Sequence, residues 1–233
     1  MPENRFLILS TAPLPSDKLP AIPDPIDLRV VPFIRISPCQ DEGFQVPALM
    51  KQKITAIFTS PQAVGILQNK NLTPSEWTVY CIQNETRAAV EQWIGKNCIR
   101  YAAKNAEALS DKIIADQVKD VVFFCGRQRL NALPDRLRLE GISLREVVLY
   151  DTLLTPVKIE EMPSLILFFS PSAVKSYFTL NQVEPSTRII AIGTTTAAEI
   201  KKHTNNPVTI SPEADKTFIL NLAVEMATLP FIS

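Results

Sequence analysis

Short, nearly continuous runs of apolar residues alternate along this chain with longer stretches in which apolar and polar positions mix. The runs include Phe6-Leu7-Ile8-Leu9-Ser10, Val79-Tyr80-Cys81-Ile82, Val121-Val122-Phe123-Phe124-Cys125-Gly126, Leu167-Phe168-Phe169 and Ile189-Ile190-Ala191-Ile192. Apolar toward both faces, such runs predict strands of parallel sheets covered by helices on both sides. Two further β-like runs, 28–36 and 144–152, follow a Pro-rich stretch and a predicted helix containing Leu130 and Leu137.

The pattern occurs twice. Ile57-Phe58-Thr59-Ser60-Pro61-Gln62-Ala63-Val64 returns as Leu167-Phe168-Phe169-Ser170-Pro171-Ser172-Ala173-Val174, and 79–86 returns more weakly as 189–196. The offset of about 110 positions exceeds the roughly 20–50 residues of solenoid repeats, so the reading is a duplicated α/β domain. Four blocks result, in the order A, B, A′, B′. Either A packs with B, leaving one connector near 116–120, or A packs with B′. In the second case the β-like runs after A and A′ both cross between domains as a stiff pair of arms, and their length and β-character favour it.

Local chemistry marks the helix starts. In Ser60-Pro61 and Ser170-Pro171 a strand ends at serine, a preferred N-cap, and proline follows at the first helical position, where its missing N–H costs nothing. Asn105 precedes Ala106-Glu107-Ala108-Leu109 in the same way, and Ser211 or Asp215 begins the last helix. Several helix N-termini therefore gather at the carboxyl ends of the strands, where open α/β sheets bind ligands and free N–H groups attract anions. Capping alone also explains each serine.

Composition narrows the functional classes. The 233 residues suit one large or two small domains, and 46% hydrophobic content supplies real cores. Lys+Arg and Asp+Glu both number 24, so nothing suggests a nucleic-acid partner, which would call for a basic excess. No apolar run approaches the roughly 20 residues of a membrane span, and the N-terminus lacks the long apolar region of a signal peptide, so a cytoplasmic protein is expected. Cys39, Cys81, Cys98 and Cys125 show no paired spacing and read as reduced thiols, not zinc ligands. The single histidine, His203, reads as an exposed residue late in a helix. Neither a Ser-His-Asp triad nor a multi-histidine metal site is expected, and any catalysis must be milder. No GxGxxG or Walker sequence is present, so the expected anion is a carboxylate or phosphate other than a nucleotide.

The order of Ile57-Phe58-Thr59-Ser60-Pro61 with Ala63-Val64, Asn105-Ala106-Glu107-Ala108-Leu109, Phe124-Cys125-Gly126 with Leu133-Pro134, Val148-Leu149-Tyr150-Asp151-Thr152, Phe168-Phe169-Ser170-Pro171-Ser172 and Ala191-Ile192-Gly193-Thr194-Thr195-Thr196-Ala197 resembles the uroporphyrinogen-III synthase family over essentially the whole length. The resemblance implies two similar α/β domains with parallel sheets flanked by helices, joined by a two-stranded β-ladder. One domain takes residues 1–28 plus 156–233, the other 38–145, with arms at 29–37 and 146–155. It implies a monomer without metal or organic cofactor. Its substrate is the linear hydroxymethylbilane, bound in an interdomain cleft and closed with inversion of the last pyrrole ring and loss of water.

On that resemblance Tyr150 is the expected proton donor. A phenol with a pKa of about 10 stays protonated at neutral pH and acts as a weak acid; tyrosine is also simply a good strand residue. Alternation places Val148, Tyr150 and Thr152 on one face. Ser60, Ser170 and Ser172 are candidate binders of acetate or propionate groups. Thr86 and Thr196, at equivalent strand-to-helix turns, line the family's cleft or cap their helices. Arg127 and Arg129 are candidate partners of substrate carboxylates, and Thr217 is a candidate near the C-terminus, with Lys216 aligning about as well. Three departures stand out: Gln62 occupies a position where some members carry arginine, Gln83-Asn84-Glu85-Thr86 lacks the glycine usual before this threonine, and Glu85 would repel an anionic ligand if it faced the cleft. The competing readings are a catalytically silent two-domain binder of a small anion on the same scaffold, a periplasmic-type binder and a protein-interaction module.

Overall fold

The computed structural model describes residues 5–15, 19–39 and 45–228. The chain forms two units, Ile36–Thr152 and Met1–Arg35 with Leu153–Ser233, each with its own parallel sheet.

The unit from Ile36 to Thr152 holds a six-stranded sheet in the order β3-β8-β7-β4-β5-β6. The strands are β3 (Ile34–Pro38), β4 (Lys53–Phe58), β5 (Glu76–Ile82), β6 (Ile99–Ala103), β7 (Asp120–Gly126) and β8 (Ser143–Leu154). From β4 to β8 every neighbouring pair is parallel. Strand alternation divides the apolar side chains between two cores. Phe58, Val79, Cys81, Phe124 and Leu149 face α1 (Val46–Met50), α2 (Pro61–Asn69) and α3 (Glu85–Ile94). Ile57, Tyr80, Phe123 and Cys125 face α4 (Ala106–Ala115) and α5 (Ala132–Leu139). Nearly uninterrupted apolar strands are thus required, because both sheet faces are buried.

The other unit holds a five-stranded parallel sheet in the order β11-β10-β9-β1-β2: β1 (Phe6–Ser10), β2 (Ile26–Val30), β9 (Leu165–Phe168), β10 (Arg188–Ala191) and β11 (Val208–Ile210). α6 (Pro171–Leu180) and α7 (Thr194–Ile200) cover one face with Leu9, Ile166 and Phe168. α8 (Lys216–Thr228) covers the other with Ile8, Leu165 and Leu167.

The two sheets share one topology. β6-β5-β4-β7-β8 matches β11-β10-β9-β1-β2 strand for strand, and β4–α2 and β9–α6 are the two copies of the Ser-Pro programme. β1 pairs with β9 through Ile8↔Leu165, and β7 pairs with β4 through Ala56↔Val122. Block A therefore packs with B′, and the choice left open by the sequence is resolved. The chain passes between units twice, within β3 and within β8, and these strands are hydrogen-bonded neighbours: the two-stranded ladder.

Some expectations change. The run 28–36 is two strands, not one, broken at Val31-Pro32-Phe33; Pro32 has no N–H to give a ladder, and β2 stays in the sheet beside β1. The predicted helix around Leu130 begins only at Ala132, leaving Leu130 62% exposed while Leu137 is buried. Among the described residues of 11–25 no helix matches α5; proline-rich loop fills that place. Ser60, Ser170 and Asn105 do cap their helices, accepting from the backbone N–H groups of Gln62, Ala173 and Ala108. Asp215, not Ser211, starts α8, accepting from Phe218 N at 2.9 Å. His203 lies just past α7, stacked on Phe178 at 4.8 Å between ring centres, and is 31% exposed at its side chain.

The first core is anchored by stacked aromatic rings: Phe124 lies 5.2 Å from Phe58 and 5.1 Å from Trp77, and the Trp77 indole N–H donates to Leu49 O. Phe124 is fully buried, and truncation leaves a cavity between two rings. Phe124→Ala should cost about 3–5 kcal/mol, read as a lower urea midpoint; a loss below about 1 kcal/mol would mean that the stack does not hold this face together.

Candidate active site

In a parallel sheet every strand ends on the same edge, so the helix starts that follow them collect there. In the unit from Ile36 to Thr152 this edge carries Ser60 after β4, Thr86 after β5, Gly126-Arg127 at the end of β7 and Tyr150 in β8. In the other unit it carries Ser170 and Ser172 after β9, Thr196 after β10 and Thr217 at the start of α8 after β11.

Tyr150 owes its position to an irregularity. β7 and β8 pair as Cys125↔Val148 and then Gly126↔Tyr150, with a register shift between. One extra residue in β8 breaks the alternation of faces. Val148 packs beside Cys125 and α5, whereas Val147, Leu149 and Tyr150 all join the core on the α2 side. The expected shared face of Val148 and Tyr150 is thus corrected. The re-aimed ring lies on Gly126, where a Cβ would stand 2.5 Å from Cε2 and 2.7 Å from Cζ of Tyr150. Its phenol donates to Ser60 Oγ at 3.1 Å, and Ser60 Oγ also accepts the Gln62 N–H at 3.2 Å. Burial holds the phenol above its ordinary pKa, the hydrogen bond to Ser60 opposing part of the rise.

Beside this pair stands an ionic cluster. Arg127 Nε donates to Asp151 Oδ1 at 2.9 Å, Cys39 Sγ donates to Asp151 Oδ2 at 3.4 Å, and Thr152 N donates to Gln128 Oε1. The Cys39 contact, with Arg127 and Gln128, holds the Asp151 carboxyl below its usual range, while burial and Asp151 push the Cys39 thiol up. Arg129 binds Glu146 and Asn131, and Arg138 shares the same Glu146. Both candidate arginines thus already hold carboxylates of the protein.

Thr86 and Thr196 are the second residue of α3 and the third of α7, only 3% and 1% exposed. Neither caps its helix: Asn84 and Gly193 hold the N-cap positions without a side-chain bond. Asn84 takes φ 61°, backbone that favours glycine. Ser172 and Thr217 lie half-buried in the first turns of α6 and α8. Within its own unit the edge of β4–β8 brings Ser60 and Tyr150 into direct contact; Thr86 and Arg129 make no bond to them. Gly126, Asp151 and Cys39 were not anticipated. A glycine closing an apolar strand, in a chain with only six, was the available signal for the first.

Among the described residues no three His, Cys, Asp or Glu side chains are placed to hold a metal ion, and no helix is long and apolar enough to cross a membrane.

A model of the family described as Uroporphyrinogen-III synthase HemD matches residues 27–218. The chain belongs to the uroporphyrinogen-III synthase family. Its fold is similar to that of uroporphyrinogen-III synthetase from Helicobacter pylori 26695 (18% identity, 95% of this chain and 99% of that one, TM-score 0.63). It is also similar to a mutant uroporphyrinogen III synthase from the extremely thermophilic bacterium Thermus thermophilus (12% identity, 95% and 98%, TM-score 0.61). At those identities the likeness concerns the fold of this synthase family member, and the residue roles rest on its own geometry.

Two outcomes follow for Tyr150. Gly126→Ala must push the ring aside, costing about 1–3 kcal/mol by overpacking and loosening the bond to Ser60; an unchanged urea midpoint would show that the ring has room to spare. The folded phenol keeps its proton to higher pH than an unfolded one. Its contribution is therefore complete below about pH 10 and lost as pH rises through the folded value. Between about pH 8 and pH 11 the wild type should lose more stability than Tyr150→Phe, and equal losses would contradict the buried phenol.

Proposed function

We propose that this chain closes linear hydroxymethylbilane to uroporphyrinogen III, with inversion of ring D and loss of water, in tetrapyrrole (haem) biosynthesis, and that Tyr150 is the proton source. The observation that carries the reading is the hydrogen bond from the buried Tyr150 to the half-buried Ser60 at the strand-end edge, in a chain that the family model matches over residues 27–218.

The chemistry asks little acid strength. Departure of a hydroxyl from a hydroxymethylpyrrole is assisted by the pyrrole nitrogen lone pair, so a neutral phenol at physiological pH suffices. Burial that raises the Tyr150 pKa keeps the donor protonated. The harder task is to make the substituted carbon of ring D react in preference to the free one, a matter of holding one near-attack conformation. The substrate's acetate and propionate groups are bound by hydroxyls and helix N–H groups: Thr86 and the start of α2 in one unit, Ser170, Ser172, Thr196 and Thr217 in the other. Arg127 and Arg129 serve as cationic partners. Neither metal nor organic cofactor takes part, no nucleic acid is bound, and the protein acts as a cytoplasmic monomer.

Freshly generated hydroxymethylbilane is the direct test, with the type I and type III isomers resolved after oxidation. Spontaneous closure gives type I, so a type III excess that rises with protein concentration is expected. Tyr150→Phe should cut that rate by about 10²-fold, the lower end of the range of general acid catalysis, while bilane binding persists. Type I alone in the presence of folded protein would leave a silent binder of the same ligand class.

A further inference from the structure

Tyr150 is 8% exposed, and its one O–H points at Ser60, not outward. Ser60 is half-buried and caps α2 at the end of β4, so it stands on the more open side of the pair. A hydroxyl offers two lone pairs and one O–H. Ser60 Oγ receives one hydrogen bond from the Gln62 backbone N–H and one from the Tyr150 phenol, which fills both lone pairs and leaves its own O–H as the only donor to present.

We propose that Ser60 is the group that touches the departing hydroxyl, and that Tyr150 acts from behind by refilling the Ser60 proton. This assignment rests on the cyclase reading and goes further by naming the contacting atom, Ser60 Oγ. Two features make serine a competent donor here. Hydrogen bonds received at its oxygen polarise its O–H. Charge developing on that oxygen lies at the N-terminus of a nine-residue helix, where the aligned peptide dipoles and the Gln62 N–H stabilise it.

The step balances. The Ser60 proton moves to the leaving oxygen as the C–O bond breaks with its electron pair on oxygen, giving water. The Tyr150 proton moves to Ser60. The substituted carbon of ring D attacks the methylene that lost water and forms a spirocycle. Its older bond to the ring C methylene then breaks, and the free carbon of ring D bonds to that methylene and releases one proton, which returns through Ser60 to Tyr150. Gly126 is a positioning residue in this scheme, because the ring lies where any side chain at that place would stand.

The test is a double-mutant cycle on kcat for type III formation from freshly generated hydroxymethylbilane. Ser60→Gly removes the hydroxyl at a cost of only a few tenths of a kcal/mol in capping, Ser60→Thr restores a hydroxyl, and Tyr150→Phe removes the source. If the two act as one relay, Ser60→Gly, Tyr150→Phe and the double variant should all fall by about 10²-fold, within about threefold of one another. Ser60→Thr should recover to within about tenfold of wild type. Losses that multiply in the double variant overturn the relay, as does a Ser60→Gly enzyme with raised KM and intact kcat, the signature of a binding or capping role. An impaired Tyr150→Phe beside a normal Ser60→Gly sinks the relay and leaves the cyclase reading standing. A wild type that forms no type III excess removes both.

Discussion

Every backbone group in the interior of a sheet needs a partner, and that requirement fixes the architecture of this chain. β9 is flanked by β10, which follows it in sequence, and by β1, which begins the chain. Without β1 and β2 the remaining β9–β11 would expose one ladder edge and the apolar side chains of Leu165 and Leu167, which are now fully buried. The same place in the other unit is filled by β7 and β8, which directly follow β6 and α4. One unit is therefore continuous and the other is completed by the chain's first strands. The two crossings that this demands run in neighbouring strands, β3 and β8. The ladder is a consequence of where block A must pair.

The candidate site depends on a smaller departure from regularity. Strict alternation along β8 would send Tyr150 to the face of α4 and α5, away from Ser60. The register shift beside Gly126 turns it toward α2, and the absence of a Cβ there admits the ring. A bulge, a glycine and a helix cap act in series: each is ordinary alone, and together they put a buried phenol on a serine at the strand-end edge. Bulges commonly re-aim side chains next to active sites.

What could be read in advance follows the same division. Parallel sheets, the duplicated Ser-Pro programme and the caps at Ser60, Ser170 and Asn105 were legible because apolar periodicity and capping chemistry are local. The pairing of block A with B′ was legible only as a preference, since strand partners are set by distant hydrogen bonds. The break at Pro32 could have been anticipated from proline's missing N–H; the bulge could not, because an extra residue leaves no mark on an apolar run. Thr86 and Thr196 illustrate a subtler limit. A threonine at a strand-to-helix turn reads as a cap, yet the turn's backbone placed them one and two residues into their helices, buried. The pairing of Arg127 with Asp151 and of Arg129 with Glu146 likewise depends on which strand neighbours which.

Those pairings bear on how a neutral protein receives a ligand with many carboxylates. A lone buried cation is costly, whereas a cation that already holds a carboxylate can accept another by exchange. The two arginines differ in this respect. Arg127 is 53% exposed at its side chain and Asp151 30%, so water can solvate the displaced aspartate while a substrate carboxylate takes its place. Arg129 and Glu146 are only 21% and 18% exposed, and Glu146 is shared with Arg138; displacement there would strand a carboxylate and disturb a second cation. Of the two proposed carboxylate partners, exchange is therefore easier at Arg127 than at Arg129, whose network also ties the β7–α5 turn to β8. With attraction limited in this way, the proposed binding mode places most of the grip on hydroxyls and helix N–H groups, whose directionality restricts a ligand's conformation more than a diffuse field of charge would.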